Sequence, residues 1–337
     1  MLPLIGVTMG DPAGIGPEVV LKAASVEPRS CRLVVLGDLT TLSETTRRLG
    51  SCLMLTAWQL GTEYPTDPNV LPVLPLSQLP AESRVPGRPT TAGGEASFQY
   101  VETATRLALD NTLQGVVTAP ISKAMWHAAG QTYPGHTELL AALTHTPEVR
   151  MMLVGSQLRV ILVTTHIALS QVPAALSCER ILKTISLATA HLSRFHSLER
   201  PRLAVAGLNP HAGEAGAFGD EEERIIAPAV RQAQAQGLVV AGPFPADSLF
   251  VRAVRGEFDG VICLYHDQGL IPLKLLSWED GVNVTIGLPI VRTSPDHGTA
   301  FDIAGQGRAD PRSLGAAIAL AAVMTRNRST SESSHLS

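Results

Sequence analysis

Short runs of consecutive apolar residues alternate along the chain with longer segments in which apolar residues recur every three or four positions. A strand that helices cover on both faces needs apolar residues at every position, whereas a surface helix needs them on one side only. The apolar runs predict buried parallel strands at 4–9, 32–38, 114–120, 159–165, 202–207 and 260–265. The periodic segments predict helices at 17–26, 94–110, 136–145, 174–193, 221–236 and 312–325. This alternation is typical of an α/β fold with a mostly parallel sheet.

The length of 337 residues favours two domains over one, and 45% hydrophobic against 17% charged residues provides ample core material. A net charge of −4 gives no reason to expect a nucleic-acid or membrane partner. The first residues do not have the pattern of a signal peptide, so we expect a cytoplasmic protein. The four scattered cysteines are interpreted as small buried apolar residues. We also expect a surface connection at 75–93 and a disordered polar tail at 326–337.

Polar and glycine-containing clusters come directly after several predicted strands. One of them, residues 10–18, contains three glycines between a strand and a helix, an arrangement that serves either as a tight turn or as a ligand loop. It has neither the GxGxxG spacing nor the Gly-Lys-Ser/Thr ending of the common phosphate loops. In open α/β sheets ligands bind at the carboxyl ends of the strands. These clusters therefore indicate a binding site at that edge.

Three histidines, His166, His211 and His266, each follow a predicted parallel strand. Neutral imidazoles bind Zn²⁺ and similar cations, and three protein ligands leave a position open for a substrate. Histidines that form structural hydrogen bonds are the equally plain alternative, since no local zinc signature is present. From spacing alone the two interpretations stay open.

Lys274, Asn283 and Arg292 form a second polar group, which suits a phosphate or carboxylate if the three side chains converge. The alternative is three unrelated surface residues. The glycine-rich segment 297–311 allows close approach of a flat ligand, and Asp302 could accept hydrogen bonds from ribose hydroxyls. That segment is otherwise a plain connection before the last helix.

Taken together these motifs resemble one family. The segments at 8–18, 117–123, 134–138, 164–169, 207–214, 245–250, 265–274 and 281–305 are similar, in this order, to those of the 4-hydroxythreonine-4-phosphate dehydrogenases of the pyridoxal phosphate pathway. Residues 297–311 also resemble the cofactor loop of isopropylmalate dehydrogenases. The resemblance implies an isocitrate/isopropylmalate dehydrogenase-like fold with two α/β/α domains and an active site in the interdomain cleft. Such a fold binds NAD without a GxGxxG fingerprint.

Carried over by position, the resemblance implies roles for individual residues. The metal ligands it implies are His166, His211 and His266. The substrate contacts it implies are His136, Thr137, Lys274, Asn283 and Arg292. The cofactor contacts it implies are Gly298, Thr299, Asp302 and Gly305. Asp247 and Asp267 are candidates for the general base, or else orient a histidine ligand.

The resemblance also implies a domain made of 1–125 with 275–325, a second domain at 126–274, and a homodimer with active sites shared between subunits. The implied reaction is metal-dependent oxidation of 4-phosphohydroxy-L-threonine by NAD or NADP. Zn²⁺ is the expected metal, with Co²⁺ or Mg²⁺ as alternatives. The product, 2-amino-3-oxo-4-phosphooxybutanoate, would then decarboxylate to 3-amino-2-oxopropyl phosphate.

Three alternatives remain open at this point. A subgroup of the same family acts on erythronate or threonate 4-phosphate and shares most of these motifs. A redox-free metal-dependent hydrolase or lyase would use the same histidines and anion pocket, but would leave residues 297–311 without a task. A regulator that binds metal or phosphate would not need glycine-rich loops on several strands.

Overall fold

The computed structural model describes residues 2–26 and 30–334. The chain divides into two compact units. Unit 1 comprises Met1–Pro147 and Leu288–Arg326, and unit 2 comprises Glu148–Gly287 and Asn327–Ser337. None of the helices in the described ranges combines the length and the hydropathy that a membrane span requires.

Among its described residues, unit 1 is built on six strands, in the spatial order β3-β4-β2-β1-β5-β12. The strands are β1 (Leu4–Thr8), β2 (Arg32–Asp38), β3 (Met54–Ala57), β4 (Val70–Ser77), β5 (Gly115–Thr118) and β12 (Val291–Pro295). Each neighbouring pair is parallel. All residues of β1, β5 and β12 are buried. The continuous apolar runs of the first two follow from this, because the central strands of a parallel sheet are covered on both faces.

The described α-helices of unit 1 are α1 (Gly16–Ala24), α2 (Leu39–Leu49), α3 (Thr91–Leu109), α4 (Lys123–Ala128), α5 (His136–Leu143) and most of α11 (Arg312–Ser334). Three of them, namely α2, α3 and α4, begin at residues whose side chains cap them. The Asp38 carboxylate accepts a hydrogen bond from the Thr41 amide at the start of α2, and Gly50 ends that helix in the left-handed region with φ 61°. Thr90 caps α3 in the same way through the Gly93 amide. The largest fully buried side chains include Trp126 and Tyr100.

The described part of unit 2 contains six strands, in the order β11-β6-β7-β10-β8-β9. The strands are β6 (Arg150–Val154), β7 (Arg159–Leu162), β8 (Leu203–Ala206), β9 (Val240–Phe244), β10 (Gly260–Cys263) and β11 (Val282–Ile286). The pairs among β7, β10, β8 and β9 are parallel, whereas β6 runs antiparallel to both β11 and β7.

The helices of unit 2 follow the parallel strands. They are α6 (Val172–Ala175), α7 (Cys178–His196), α8 (Ala227–Ala235), α9 (Ala246–Val254) and α10 (His266–Leu276), with a π-helical turn at Glu222–Ile226 before α8. The core lies where β7, β8 and β10 meet α9 and α10, and includes Val160, Ala204, Leu249, Val261 and Leu273.

The predicted fold class is confirmed, and each of the six predicted strands and six predicted helices corresponds to an observed element. The structure adds six further strands. Pro72 and Pro75 interrupt the apolar run of β4, and β9 contains Gly242 and Pro243, so these segments did not show a clear strand pattern.

Several finer expectations were wrong. The predicted disordered tail is helical through Ser334 as part of α11, and 335–337 lie outside the described residues. The segment 75–93 holds the end of β4 and a 3-10 turn, with Leu79 and Ser83 buried. Cys52 is exposed rather than buried.

The unit boundaries also lie elsewhere than expected. Residues 126–147 belong to unit 1, because α4 and α5 pack against α3, partly through the Trp126 ring. Residues 275–287 belong to unit 2, because β11 pairs with β6 there.

Candidate active site

The glycine-containing loop at 10–18 packs against other backbone segments of unit 1. A Cβ atom at Gly10, where φ is +75°, would lie 2.4 Å from the Pro120 carbonyl oxygen, and one at Gly16 would lie 2.2 Å from that of Met9. A Cβ at Gly14 would lie 3.0 Å from the Thr299 carbonyl oxygen. Close backbone approach therefore accounts for these three glycines without a ligand.

Asp11, within this loop, is completely buried. Its Oδ1 atom accepts a hydrogen bond from the Ala13 amide at 2.9 Å, while its Oδ2 atom is buried without a partner. Burial raises the pKa of Asp11 to about 6, against the smaller opposing effect of the Ala13 hydrogen bond. No sequence pattern predicts this pKa shift, since Asp11 has the appearance of an ordinary turn residue.

A polar group of unit 1 lies at the N-terminus of α5. His136 and Thr137 are the first two residues of that helix, and Gly135 precedes them as an N-cap without a side chain. Arg292 lies in β12, where it is opposite Val116 of β5, and its Nη2 atom donates a hydrogen bond to Thr118 Oγ1 at 2.6 Å. The structure thus brings three predicted substrate contacts, His136, Thr137 and Arg292, into one unit.

The electrostatics of this group come mainly from burial. Desolvation lowers the pKa of His136 well below its usual value, and the nearby positive charges of Arg292 and Lys123 lower it further. Desolvation also lowers the pKa of Arg292 to about 10, with the negative charge of Glu138 opposing it. At neutral pH the group therefore presents a neutral imidazole beside a charged guanidinium, a combination that binds an anion.

His166 and His266 lie close together in unit 2 because β7 and β10 are neighbours. The parallel ladder continues past both strands, with the Val163 amide bonded to the Cys263 carbonyl oxygen at 2.8 Å and the Thr164 amide to that of Leu264 at 3.2 Å. The two imidazole ring centroids are 5.7 Å apart. His266 Nδ1 lies 2.7 Å from Asp267 Oδ1, which leaves Nε2 as the ring nitrogen available to a ligand.

His211 lies in the turn that follows β8, the other neighbour of β10. It adopts a left-handed backbone conformation with φ 53°, which costs a non-glycine residue about 1–3 kcal/mol. The turn is held from below by Glu222, whose Oε1 atom accepts hydrogen bonds from the Leu208 and Asn209 amides, each at 2.7 Å. A strained residue on a firmly held turn is typical of a functional site.

The three histidines do not converge within a single chain. Among the described residues, no group of three histidine, cysteine, aspartate or glutamate side chains is placed to hold a metal ion. The His166–His266 pair does fit one, because two imidazoles bound to one tetrahedral ion at about 2.0–2.1 Å place their ring centroids roughly 5–6 Å apart. The two imidazoles are therefore spaced as two ligands of one metal ion would be.

The remaining predicted residues of unit 2 lie on the elements around α10. Lys274 is in the last turn of that helix, with its Nζ atom 5.6 Å from the centroid of the exposed Trp278 ring. Asn283 lies in β11 opposite Leu153 of β6. Asp247 is exposed in the first turn of α9, and the hydrogen bond of Asp267 to His266 favours an orienting role for that carboxylate.

The segment 297–311 is a coil with tight turns after β12 and contains the predicted cofactor residues Gly298, Thr299, Asp302 and Gly305. The carbonyl oxygen of Thr299 accepts a hydrogen bond from the Ile15 amide at 2.9 Å. Asp302 is exposed, and Gly305 has a φ of +75° that favours glycine.

Two side chains of α1 hold the end of this segment. The buried Glu18 carboxylate accepts a hydrogen bond from the Ala309 amide at 2.8 Å, and the Lys22 ammonium donates to the Gly307 and Ala309 carbonyl oxygens, each at 2.8 Å. The glycine-rich coil is therefore fixed to α1 rather than loosely attached.

Sequence reasoning missed three residues that the structure places around α5, namely Thr118, Lys123 and Glu138. Thr118 lies inside the strand predicted at 114–120, Lys123 follows that strand by three residues, and Glu138 lies two residues after His136. Threonine, lysine and glutamate are common outside functional sites, so residue type alone does not mark these three positions.

Comparison with known proteins gives the family. The model of the family "Pyridoxal phosphate biosynthetic protein PdxA" matches residues 29–321. A 4-hydroxythreonine-4-phosphate dehydrogenase of Desulforapulum autotrophicum is 50% identical over 327 residues, which cover 95% of each chain. A D-threonate 4-phosphate dehydrogenase of Cupriavidus necator is 48% identical, over 93% of this chain and 94% of its own.

Among solved structures, the 4-hydroxythreonine-4-phosphate dehydrogenase of Klebsiella pneumoniae superposes with a TM-score of 0.89 at 44% identity, over 96% of this chain and 98% of its own. Fold, sequence and length agree along almost the whole chain. The chain therefore belongs to the PdxA family and is a dehydrogenase of a phosphorylated hydroxy acid.

Proposed function

We propose that this enzyme oxidises 4-phosphohydroxy-L-threonine with NAD or NADP in a reaction that depends on a divalent metal ion. The observation that carries the proposal is the 5.7 Å separation of the His166 and His266 rings at the carboxyl ends of adjacent strands. A second observation supports it, namely the neutral His136 beside the charged Arg292 at the α5 N-terminus.

In the proposed site His166, His211 and His266 hold the metal, with Zn²⁺ preferred over Co²⁺ or Mg²⁺ because imidazole is a borderline ligand. A divalent cation bound there supplies Lewis-acid polarisation of an alcohol. Asp267 orients His266 through its 2.7 Å contact with Nδ1. Asp247 is the remaining candidate for the base that takes up the proton of the substrate hydroxyl.

The anionic groups of the substrate are assigned to five charged or polar residues. They are Arg292, whose guanidinium is fixed by Thr118, and His136 and Thr137 at the start of α5, with Lys274 and Asn283. A nicotinamide cofactor, assigned to the coil at 297–311, supplies a hydride acceptor.

The proposed product is a β-keto acid, 2-amino-3-oxo-4-phosphooxybutanoate, which loses CO₂ readily to give 3-amino-2-oxopropyl phosphate. A second substrate, D-threonate 4-phosphate, is also a candidate, because relatives named for either substrate are nearly equally identical to this chain, at 50% and 48%.

The first test is NADH or NADPH formation at 340 nm with each phosphorylated acid, on chelator-treated enzyme given back Zn²⁺, Co²⁺ or Mg²⁺. We expect turnover with 4-phosphohydroxy-L-threonine only after metal is restored. Turnover with D-threonate or erythronate 4-phosphate alone would move the substrate assignment and leave the chemistry in place. Absence of nicotinamide reduction with every acid and metal would contradict the proposal.

We further propose that the metal site is completed across a homodimer. His211 does not join the His166–His266 pair within one chain. The C-terminal part of α10 and the residues after it leave a large apolar surface uncovered, with Ile271 59%, Leu275 82% and Trp278 78% exposed. A second copy of the chain that covers this face would satisfy both observations.

Mixing inactive variants tests this arrangement. If His211 comes from the opposite subunit, a heterodimer of His166→Ala and His211→Ala chains has one intact site, so an equimolar reassembled mixture should recover about one quarter of wild-type activity. A mixture of His166→Ala and His266→Ala should stay inactive, because both ligands belong to the same chain. No recovery in the first mixture, after heterodimer formation is verified with tagged chains, would place all three ligands in one subunit.

A further inference from the structure

The chain contains four lysines, and two of them have a clear role in the structure or the proposed site. Lys22 is bound to Glu18 and to two carbonyl oxygens of the 297–311 coil. Lys274 belongs to the proposed substrate contacts. Lys183 is an exposed residue on α7. Lys123 is left, in a segment that the family motif includes but to which the proposed function gives no task.

Lys123 is the first residue of α4, which is fixed in position by Trp126. The Trp126 indole is fully buried, donates to Ser97 Oγ at 2.9 Å, and meets the His136 ring edge-on at a centroid distance of 5.6 Å. The start of α4 is therefore held beside the start of α5. A flexible surface lysine would lack this support.

The Lys123 side chain extends over the N-cap of α5. A Cβ atom at Gly135 would lie 3.3 Å from Lys123 Cε and 3.8 Å from its Nζ. The absence of a side chain at Gly135 thus gives the ammonium room at the helix N-terminus. The side chain is exposed and forms no ion pair or hydrogen bond within the described residues.

The α5 N-terminus has the features of an anion site. The first amide groups of a helix have no acceptor within the helix, and no side chain caps them here. His136 adds an Nε2 atom that is buried without a partner, in a side chain whose burial keeps it neutral. A neutral imidazole contributes a hydrogen bond but no charge.

The charges around this point do not balance a phosphate without Lys123. A phosphate monoester carries about −1.5 to −2 at neutral pH. Unit 1 offers one buried cation for it, Arg292, and the carboxylate of Glu138 lies near the same point, with Oε2 3.6 Å from the Gly135 Cβ position. Within unit 1 the second cation at this point is the Lys123 ammonium, with its Nζ atom 3.8 Å from the Gly135 Cβ position.

We propose that Lys123 binds the phosphate group of the substrate at the N-terminus of α5, together with Arg292 and the amide groups of that helix. This proposal rests on the proposed function for the identity of the substrate. It assigns a binding role to Lys123, so the residue should affect affinity for phosphate-bearing ligands and not the hydride-transfer step.

The test uses Lys123→Met, which keeps the length of the side chain and removes its charge, with Lys123→Arg as the conservative variant. Lys183→Met is the matched control, because it removes an exposed lysine of unit 2 that has no part in the proposed site. For each full-length variant, kcat and KM for the phosphorylated acid and the inhibition constant of inorganic phosphate are measured. The increase in melting temperature is also recorded as a function of the phosphate concentration.

Loss of a charge-assisted hydrogen bond should raise KM and the inhibition constant of phosphate by about 10- to 100-fold in Lys123→Met. The value of kcat should change by less than about threefold, since the ground state and transition state share the phosphate contact. The rise in KM and in the inhibition constant should become smaller with added salt, because salt screens an exposed charge but leaves a packing defect unchanged. Lys123→Arg should retain most of the affinity, and Lys183→Met should match the wild type.

Unchanged KM and phosphate inhibition in Lys123→Met would overturn the proposal, as would a loss confined to kcat. If the wild type reduces no nicotinamide with any phosphorylated acid, the proposed function fails by itself. Phosphate-dependent thermal protection that is present in the wild type and lost in Lys123→Met would then still support the anion site. Equal protection in both would refute it.

Discussion

The buried carboxyl group of Asp11 makes the stability of unit 1 depend on pH in a direction opposite to that of most aspartates. Its folded-state pKa of about 6 lies above the ordinary value of 3.8 because the group is removed from water and only one of its oxygens is hydrogen-bonded. The contribution of Asp11 to stability is therefore complete below pH 3.8 and is lost as the pH rises through 6. Asp11→Asn removes the ionisation and keeps an oxygen for the Ala13 amide.

The magnitude follows from the two pKa values. A difference of about 2 at 1.36 kcal/mol for each unit makes the charged form cost about 3 kcal/mol at pH 8. Asp11→Asn should be more stable than the wild type by about 3 kcal/mol at pH 8, and by only about 1 kcal/mol at pH 4.5. For a unit of this size the difference at pH 8 corresponds to roughly 6–12 °C in melting temperature.

The assay is urea or thermal unfolding of both proteins from pH 4.5 to 8, followed by circular dichroism. The free energy of unfolding of the wild type is subtracted from that of the variant at each pH. This difference removes the effect of every other titrating group, provided that both proteins unfold in the same kind of transition. A stability difference that is the same at pH 4.5 and pH 8, or that grows towards low pH, would refute the assignment of a raised pKa. A wild type more stable than the variant at pH 8 would show that the ionised carboxylate has a partner in solution.

Three further predictions concern other sites. Burial lowers the pKa of His191 to about 3. Its contribution to stability is therefore present above pH 6.5 and is lost as the pH falls below that value. In urea unfolding, the free energy of unfolding should fall between pH 7 and pH 4.5 by about 2–3 kcal/mol less in His191→Leu than in the wild type. Gly94→Ala should destabilise the protein by about 1–3 kcal/mol or more, because the new Cβ would lie 2.4 Å from the Met125 carbonyl oxygen. Gly315→Ala in α11 should stabilise the protein by about 0.5–1 kcal/mol, because its Cβ would meet no atom within 4 Å. Arg292→Lys should raise KM for the phosphorylated acid by about 10-fold or more in the 340 nm assay, because a buried lysine neither binds an anion through two nitrogens nor keeps its charge as firmly; an unchanged KM would exclude Arg292 from the substrate site.

The sequence was most informative where a single physical demand covers several consecutive residues. Buried parallel strands such as β1 and β10 need an apolar residue at every position, and both were predicted within a few residues of their observed ends. The resemblance to the PdxA family worked for a related reason, since long motifs at strand ends are preserved in order along the chain. By contrast, β4 was missed because two prolines interrupt it.

The α/β class, the family and the residue types available for chemistry could be predicted from the sequence, because they depend on local pattern and on motif order. Which of those residues meet depends on the assembled fold. It brought His166 beside His266 through the pairing of β7 with β10, and it placed Lys123 over Gly135 through the packing of Trp126. It also gave Asp11 and His136 their shifted pKa values. Burial and long-range contact are properties of the folded chain, and residues distant in sequence acquire them only when strands and helices are assembled.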